Sequence, residues 1–170
     1  MSRNITHERL LELVHYEPTL GLFWHKPRPV QSRHDRMFNT RFADKIAGTM
    51  DGHGYVSIRL EGDLYKGHQL AWFYMTGEWP EDEIDHRNLS RIDNSFDNLR
   101  PATRSQNMAN RKPSGSSGIR GVDFSKGAWR ARVKKDGITE DLGRHSTPEA
   151  AKAAFDKRAA EIHGQFARPS

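Results

Sequence analysis

The sequence predicts an α+β protein in two small regions. The larger, N-terminal region mixes short strands with helices, and the C-terminal one is a small three-stranded antiparallel sheet packed on one helix. Three observations point there. The composition breaks at Pro113-Ser114-Gly115-Ser116-Ser117-Gly118, where Gly and Ser leave the backbone poorly specified and offer nothing to bury. Before the break, the apolar spacing changes between strand-like alternation and helical recurrence. After it, three strand-type runs separated by tight-turn residues lead into one helical pattern. A chain of 170 residues allows one medium domain or two small ones. The expected division is residues 1–112 and residues 118–168, with a linker at about 111–118.

Taken in order, Thr6 caps a first helix whose apolar side is Leu10, Leu11, Leu13 and Val14, ended by Pro18 and Gly21. Leu20, Leu22, Phe23 and Trp24 suggest a strand, and residues 27–40 lack periodicity and read as loop. Residues 54–60 alternate, with Val56, Ile58 and Leu60 on one side. Gly62-Asp63 then turns the chain into a second strand near Leu64 to His68, which is a hairpin signature. A helix buried on Leu70, Trp72 or Phe73 should span Gln69 to Met75, stopped by Gly77 and Pro80. Short strands at Ile84 to His86 and Leu99 to Pro101 flank a polar loop, and Thr103 caps a helix carrying Gln106, Asn107 and Asn110. In the last region, strands are expected at Arg120 to Phe124, Ala128 to Lys134 and Ile138 to Leu142. The following helix starts at Pro148 behind a Thr147 cap, buries Ala151, Ala154, Phe155, Ala159 and Ile162, and closes at Gly164.

Composition removes several classes of function. The chain has no Cys, which rules out a disulfide scaffold and any thiolate-ligated zinc or iron-sulfur centre. The longest apolar run, Leu70 to Met75, is far too short to cross a bilayer, so no membrane partner is expected. No basic-then-apolar leader opens the sequence, and the cytoplasm is the expected compartment. The formal charge is +5, which allows a polyanionic partner. Residues 1–112 hold 16 basic and 15 acidic residues, whereas residues 113–170 hold 11 and 7, so the surplus sits in the last third.

One constellation suits chemistry. Asp85 and His86 are adjacent, and Asn107 follows on the helix capped by Thr103. A carboxylate and an amide carbonyl are hard oxygen ligands suited to Mg2+, and an imidazole beside them can take a proton from water near neutral pH. Adjacent strand residues point to opposite faces, so the pair divides this labour only where the strand ends and the chain bends. Asn94 and Asn110 are alternatives to Asn107 as the amide ligand.

These residues belong to a longer pattern. Ile84-Asp85-His86, Asp93-Asn94, Phe96-Asp97-Asn98-Leu99-Arg100, Thr103 and Gln106-Asn107 together resemble the HNH motif of phage-type homing endonucleases. The lead-in with Tyr65, His68, Leu70-Ala71-Trp72 and Gly77-Glu78-Trp79-Pro80 is similar to that group, as are Tyr16, Pro18, Gly21, Asn39-Thr40-Arg41-Phe42 and Ala47-Gly48. The resemblance implies a ββα-metal nuclease core in which Asp85 and Asn107 hold one divalent ion, Mg2+ with Mn2+ as a substitute. It implies that His86 is the general base on the attacking water and that Asn98 ties the loop to orient His86. The products would carry 5′-phosphate and 3′-hydroxyl ends. Asn107 stands where many relatives have a second His, which favours an oxygen-rich site over a zinc site. His68, followed here by Gln69 where relatives carry Arg, is a candidate to touch the site or DNA, the alternative being a hydrogen-bonded core histidine.

Residues 118–167 resemble the APETALA2-type DNA-binding domain through Gly118-Ile119-Arg120-Gly121-Val122, Trp129-Arg130-Ala131-Arg132-Val133, Leu142-Gly143, the Thr-Pro-Glu-Ala-Ala start at 147 and Ala167. Trp129 shares a face with Ala131 and Val133. Arg130, Arg132 and Lys134 take the opposite face, with Arg120 reaching it from the first strand. Such a sheet fits the major groove of double-stranded DNA. The third strand puts Thr139 and Asp141 outward, where the plant domains offer Arg and Trp, and Asp141 can accept from cytosine, orient an arginine or repel phosphate. The expected function is a metal-dependent DNA endonuclease, a homing enzyme acting in a bacterial host during phage infection. The rivals are a noncatalytic or regulatory DNA-binding protein that keeps the HNH scaffold, and an RNA-directed protein.

Overall fold

The computed structural model describes residues 4–111 and 117–167, so most of the expected joint at 111–118 lies outside the described residues. The chain divides into two compact units, Met1–Pro101 and Ala102–Ser170.

In the first unit, Thr6 accepts from Arg9 N and starts α1 (His7–Leu13). The helix stops before Val14, and β1 (Val14–Glu17) follows at once, paired antiparallel with β2 (Leu22–His25). The sequence places Val14 on the helix. Extended backbone wins because it points Val14 and Tyr16 to the same side, and both are buried. The hairpin of β4 (Val56–Leu60) and β5 (Asp63–Lys66) forms as expected, but its turn is Glu61-Gly62, both at positive φ, with Asp63 already paired to Leu60 in the second strand, and β3 (Thr49–Met50) adds a short outer strand. The second strand ends earlier than expected. α3 (Gly67–Thr76) begins at Gly67, so His68 lies in its first turn, and the helix buries His68, Leu70, Ala71 and Phe73 before Gly77 ends it in a left-handed conformation. β6 (Glu83–His86) pairs with β7 (Leu99–Ala102) through a polar loop that closes in a 3₁₀ turn at Phe96–Asn98. Leu10, Val14, Phe23, Ile58, Leu70, Ile84 and Leu99 bring all these elements into one core.

The expected loop at residues 27–40 is overturned in part. α2 (Arg33–Phe42) starts there, with Ser32 as cap accepting from Asp35 N. It buries no residue, so no apolar stripe announces it. Polar and aromatic contacts hold it instead. Asn39 bonds both backbone groups of Arg28, at 2.8 Å each, and Phe38 and Phe42 set their ring edges against His25.

The second unit opens with α4 (Arg104–Asn110), where Thr103 and Gln106 form the reciprocal capping box anticipated from sequence. β8 (Val122–Ser125), β9 (Ala128–Lys135) and β10 (Ile138–His145) form an antiparallel sheet in the order β10-β9-β8. It packs on α5 (Pro148–His163), capped by Thr147 as expected. Val122, Ala131, Val133, Ala151, Phe155 and Ala159 form the core, with Trp129 and Ile162 partly buried against it. The first strand begins two residues later than expected. Gly121, at φ 65°, turns the chain into it, and a Cβ there would lie 2.4 Å from Arg132 O and from the Phe155 ring. Among the described residues, no helix is long and apolar enough to cross a membrane.

Gly21 joins β1 to β2 at φ 67°, and a Cβ at this position would lie 2.2 Å from Ser95 N and 2.4 Å from the Asn94 carbonyl carbon. Left-handed backbone strain and overpacking then act together. Gly21→Ala is expected to cost roughly 2–5 kcal/mol in a urea titration, and an unchanged midpoint would show that the hairpin is not pressed against this loop.

Candidate active site

Asp85 and His86 are the last two residues of β6, and both are buried. Alternation along the strand sends them to opposite sides. Asp85 meets β7, where Arg100 donates from Nε and Nη2 to the single oxygen Oδ2 at 2.9 and 2.8 Å. His86 meets other partners. Its Nε2 lies 3.2 Å from Asn94 Oδ1, and its ring lies edge to face with His68, centroids 5.1 Å apart, and 6.1 Å from Tyr55. The strand ends here and the chain bends, with Leu89 N donating to His86 O and Arg87 N to Asn98 O.

Asn98 ties this bend. Its Oδ1 accepts from Asn88 N at 3.0 Å, and its Nδ2 donates to Asp93 O at 2.7 Å, so one side chain near the end of the loop holds its start and its middle. Asp93 adds a second clamp by accepting from Asn88 Nδ2 and from the Ser95 backbone and hydroxyl.

An amide oxygen only accepts, so Nε2 of His86 carries the proton and the ring's basic lone pair is on Nδ1. Burial pushes the His86 pKa below its ordinary value, opposed by the Asn94 hydrogen bond and the nearby Asp85 charge. The imidazole is therefore neutral near neutral pH, the form able to accept a proton. His68 is displaced down to about 3, chiefly by burial, with His86 and Lys66 close by lowering it further. Its Nδ1 is buried with no hydrogen-bond partner. Close to the two rings, Lys66 pairs with Asp51, and Arg91 lies over the Tyr55 ring at 4.8 Å.

Residues 65–109, which contain this arrangement, match the family model described as HNH endonuclease. A protein of Acanthamoeba polyphaga mimivirus, described as an uncharacterized HNH endonuclease, is 34% identical over 96 residues, covering 55% of this chain and 50% of the relative. Protein 3.8 of Escherichia phage T7 is 32% identical over 106 residues, 59% of this chain and 87% of that protein. The chain carries an HNH endonuclease-family domain. The match spans only half the length of the mimivirus relative.

Within the HNH stretch the structure brings Asp85, His86, Asn98 and His68 into one neighbourhood of the first unit. Asn107 lies on α4 in the second unit, half-buried, its backbone N donating to Thr103 O, while Asn110 at the helix end is buried. Sequence reasoning missed the roles of Arg100 and Asn94. Both stand in the HNH motif, but a carboxylate clamp and a ring-orienting amide emerge only once β6 pairs with β7 and the loop folds back.

On the sheet of the second unit, Arg130, Arg132 and Lys134 do share the outward face. Two of them are ion-paired across strands. Arg130 donates from Nε and Nη2 to Asp141, whose pKa it lowers, and Arg132 Nη2 lies 2.5 Å from Asp123. Of the three roles open to Asp141, orienting an arginine is the one seen. Arg120 lies in the turn before β8, half-buried, and lines a cavity with Phe155, Ala159 and His163 of α5.

A neutral buried His68 makes the fold acid-sensitive in a definite direction. The unfolded chain takes up a proton on this residue below its ordinary pKa near 6.5, whereas the folded chain resists until about 3. Stability therefore falls as pH drops through that window. Between neutral pH and about pH 4.5 the His68 contribution is roughly 2–3 kcal/mol. Urea midpoints at the two pH values should differ less in His68→Gln than in the wild type, and equal slopes would remove His68 as a source of acid sensitivity.

Proposed function

We propose that the chain is a divalent-metal-dependent nuclease that hydrolyses phosphodiester bonds of double-stranded DNA to 5′-phosphate and 3′-hydroxyl ends. Its HNH region, within residues 1–112, would cut, and residues 118–168 would bind DNA as an APETALA2-like module. The observation that carries this reading is a neutral imidazole, His86, oriented by Asn94 beside a buried carboxylate, Asp85, inside the family-matched stretch.

His86 takes the proton of the attacking water at Nδ1, while Asn94 holds Nε2–H and fixes the ring plane during the transfer. Asn98 keeps the bend after β6 rigid, so the imidazole is aimed before substrate arrives. Asp85 and Asn107 would hold the metal. Their donor set fits Mg2+ or Mn2+: a carboxylate and an amide oxygen are hard ligands, and Mg2+ commonly completes its shell with water. Among the described residues, no three His, Cys, Asp or Glu side chains gather as a zinc site requires. Arg100 steadies the Asp85 carboxylate through Oδ2. When bound, the ion supplies charge neutralisation on the phosphoryl oxygens and on the departing 3′ oxygen.

Supercoiled plasmid with Mg2+ tests the activity. His86→Ala should lower cleavage at least ~100-fold while DNA binding persists, and near-native cutting by the folded variant would remove His86 from the mechanism. Asp85→Ala and Asn107→Ala should weaken Mg2+ binding in calorimetry and abolish Mg2+-supported cleavage. Asn110→Ala, altering a buried residue, should cost stability without lowering metal affinity. If Asn110 rather than Asn107 controls metal affinity, the ligand assignment on α4 is wrong.

The basic sheet face has its own test. Replacing Arg130, Arg132 and Lys134 together by Gln should weaken duplex binding and reduce the slope of log affinity against log salt by about two to three, since each lost phosphate contact removes about 0.9. Unchanged affinity and slope would make this a solvated face.

A further inference from the structure

The charge balance of the first unit hides a local excess. Between Lys26 and Lys45 there are six basic residues and two acidic ones, a balance of +4, while the remainder of residues 1–112 is net acidic. α2 occupies the centre of this segment. At 3.6 residues per turn, Arg33, Arg36, Met37, Thr40 and Arg41 fall on one side and Asp35, Phe38, Asn39 and Phe42 on the other. The second side faces the protein: Phe38 and Phe42 meet His25, Asn39 is pinned to Arg28, and Asp35 closes the helix cap with Ser32. The first side faces solvent, and every residue on it is exposed. The guanidinium groups of Arg33 and Arg36 make no ion pair or hydrogen bond among the described residues, and that of Arg41 lies over the Phe42 ring.

We propose that α2 is a second DNA-contacting element, its Arg33, Arg36 and Arg41 binding the phosphate backbone of duplex DNA. This rests on the reading of the chain as a DNA nuclease. Two features support it. α2 buries no residue, so its apolar contribution to folding is small, yet it is held in place by a cap, two hydrogen bonds of the Asn39 side chain and two ring contacts. The rigid presentation of three arginines is what that bracing achieves. At 1.5 Å rise per residue the three arginines span roughly 12 Å along the axis, comparable with three to four phosphates at about 3.4 Å per strand. Unlike Arg130 and Arg132, Arg33 and Arg36 have no carboxylate partner to displace when phosphate arrives.

Fluorescence anisotropy of the full chain on labelled duplex DNA, across salt concentrations and without divalent metal, tests this. The triple variant Arg33→Gln, Arg36→Gln, Arg41→Gln keeps good helix formers, and circular dichroism checks that it is folded. Its expected affinity is about tenfold or more below wild type at moderate salt, with a log-log salt slope smaller by about two to three. The corresponding triple Lys variant should retain most of the slope, which a purely structural effect would not allow. A Gln triple with wild-type affinity and slope, in a protein that binds and cuts duplex DNA, overturns the role of α2 and leaves the nuclease reading standing. Wild-type protein that neither binds nor cuts duplex DNA overturns both. Arginine-dependent binding to RNA or to anionic lipid vesicles, with duplex affinity unaffected by the substitutions, overturns the proposal in favour of that partner.

Discussion

A side-chain amide in the interior, Asn94, is the point on which the candidate site turns. It is 1% exposed, and a buried amide needs partners placed to suit it. Its Oδ1 fixes the His86 ring, and its backbone carbonyl accepts from the Tyr16 hydroxyl at 2.7 Å. The surrounding chain is shaped to fit. Gly21 and Gly67 both approach so closely that a Cβ would lie under 3.0 Å from Asn94 atoms. The orientation of the proposed base is thus set by the start of α3, inside the HNH-matched stretch, and by the β1–β2 hairpin, which is distant from it in sequence.

The opposite side of β6 uses a different constraint. Asp85 and Arg100 are both almost fully buried, and a buried carboxylate with its arginine removed is an uncompensated charge. The pair need not add net stability, because desolvation of two charges offsets much of their attraction. What it gives is a carboxylate held in one rotamer. Where the short ladder of β6 and β7 stops, the Asn98-clamped bend takes over.

Cations are presented in two ways on this chain. On the β8–β10 sheet, Arg130 and Arg132 are oriented by Asp141 and Asp123, which lowers the net charge of the face while limiting rotamer freedom. On α2, backbone bracing does the orienting, and Arg33 and Arg36 keep their full charge. The first arrangement suits discrimination among contacts, the second general attraction to a polyanion.

Local patterns carried much of this in the sequence. Thr6, Thr103 and Thr147 cap helices where their hydroxyls predict, Gly62 lies in the turn of its hairpin, and the alternation through Trp129, Ala131 and Val133 gives the buried face of β9. These features depend on neighbours within a few residues, so a linear reading reaches them. The HNH motif was legible for a related reason, since its residues lie within one short span. What sequence did not reveal depends on long-range contact: the end of α1 at Val14, the existence of α2 without an apolar stripe, and the Arg100 and Asn94 partners of Asp85 and His86. Sequence determined which residue types stand near one another along the chain. Which face of β6 each of them serves, and in which protonation form His86 rests, was decided only when strand pairing and burial removed water from around them.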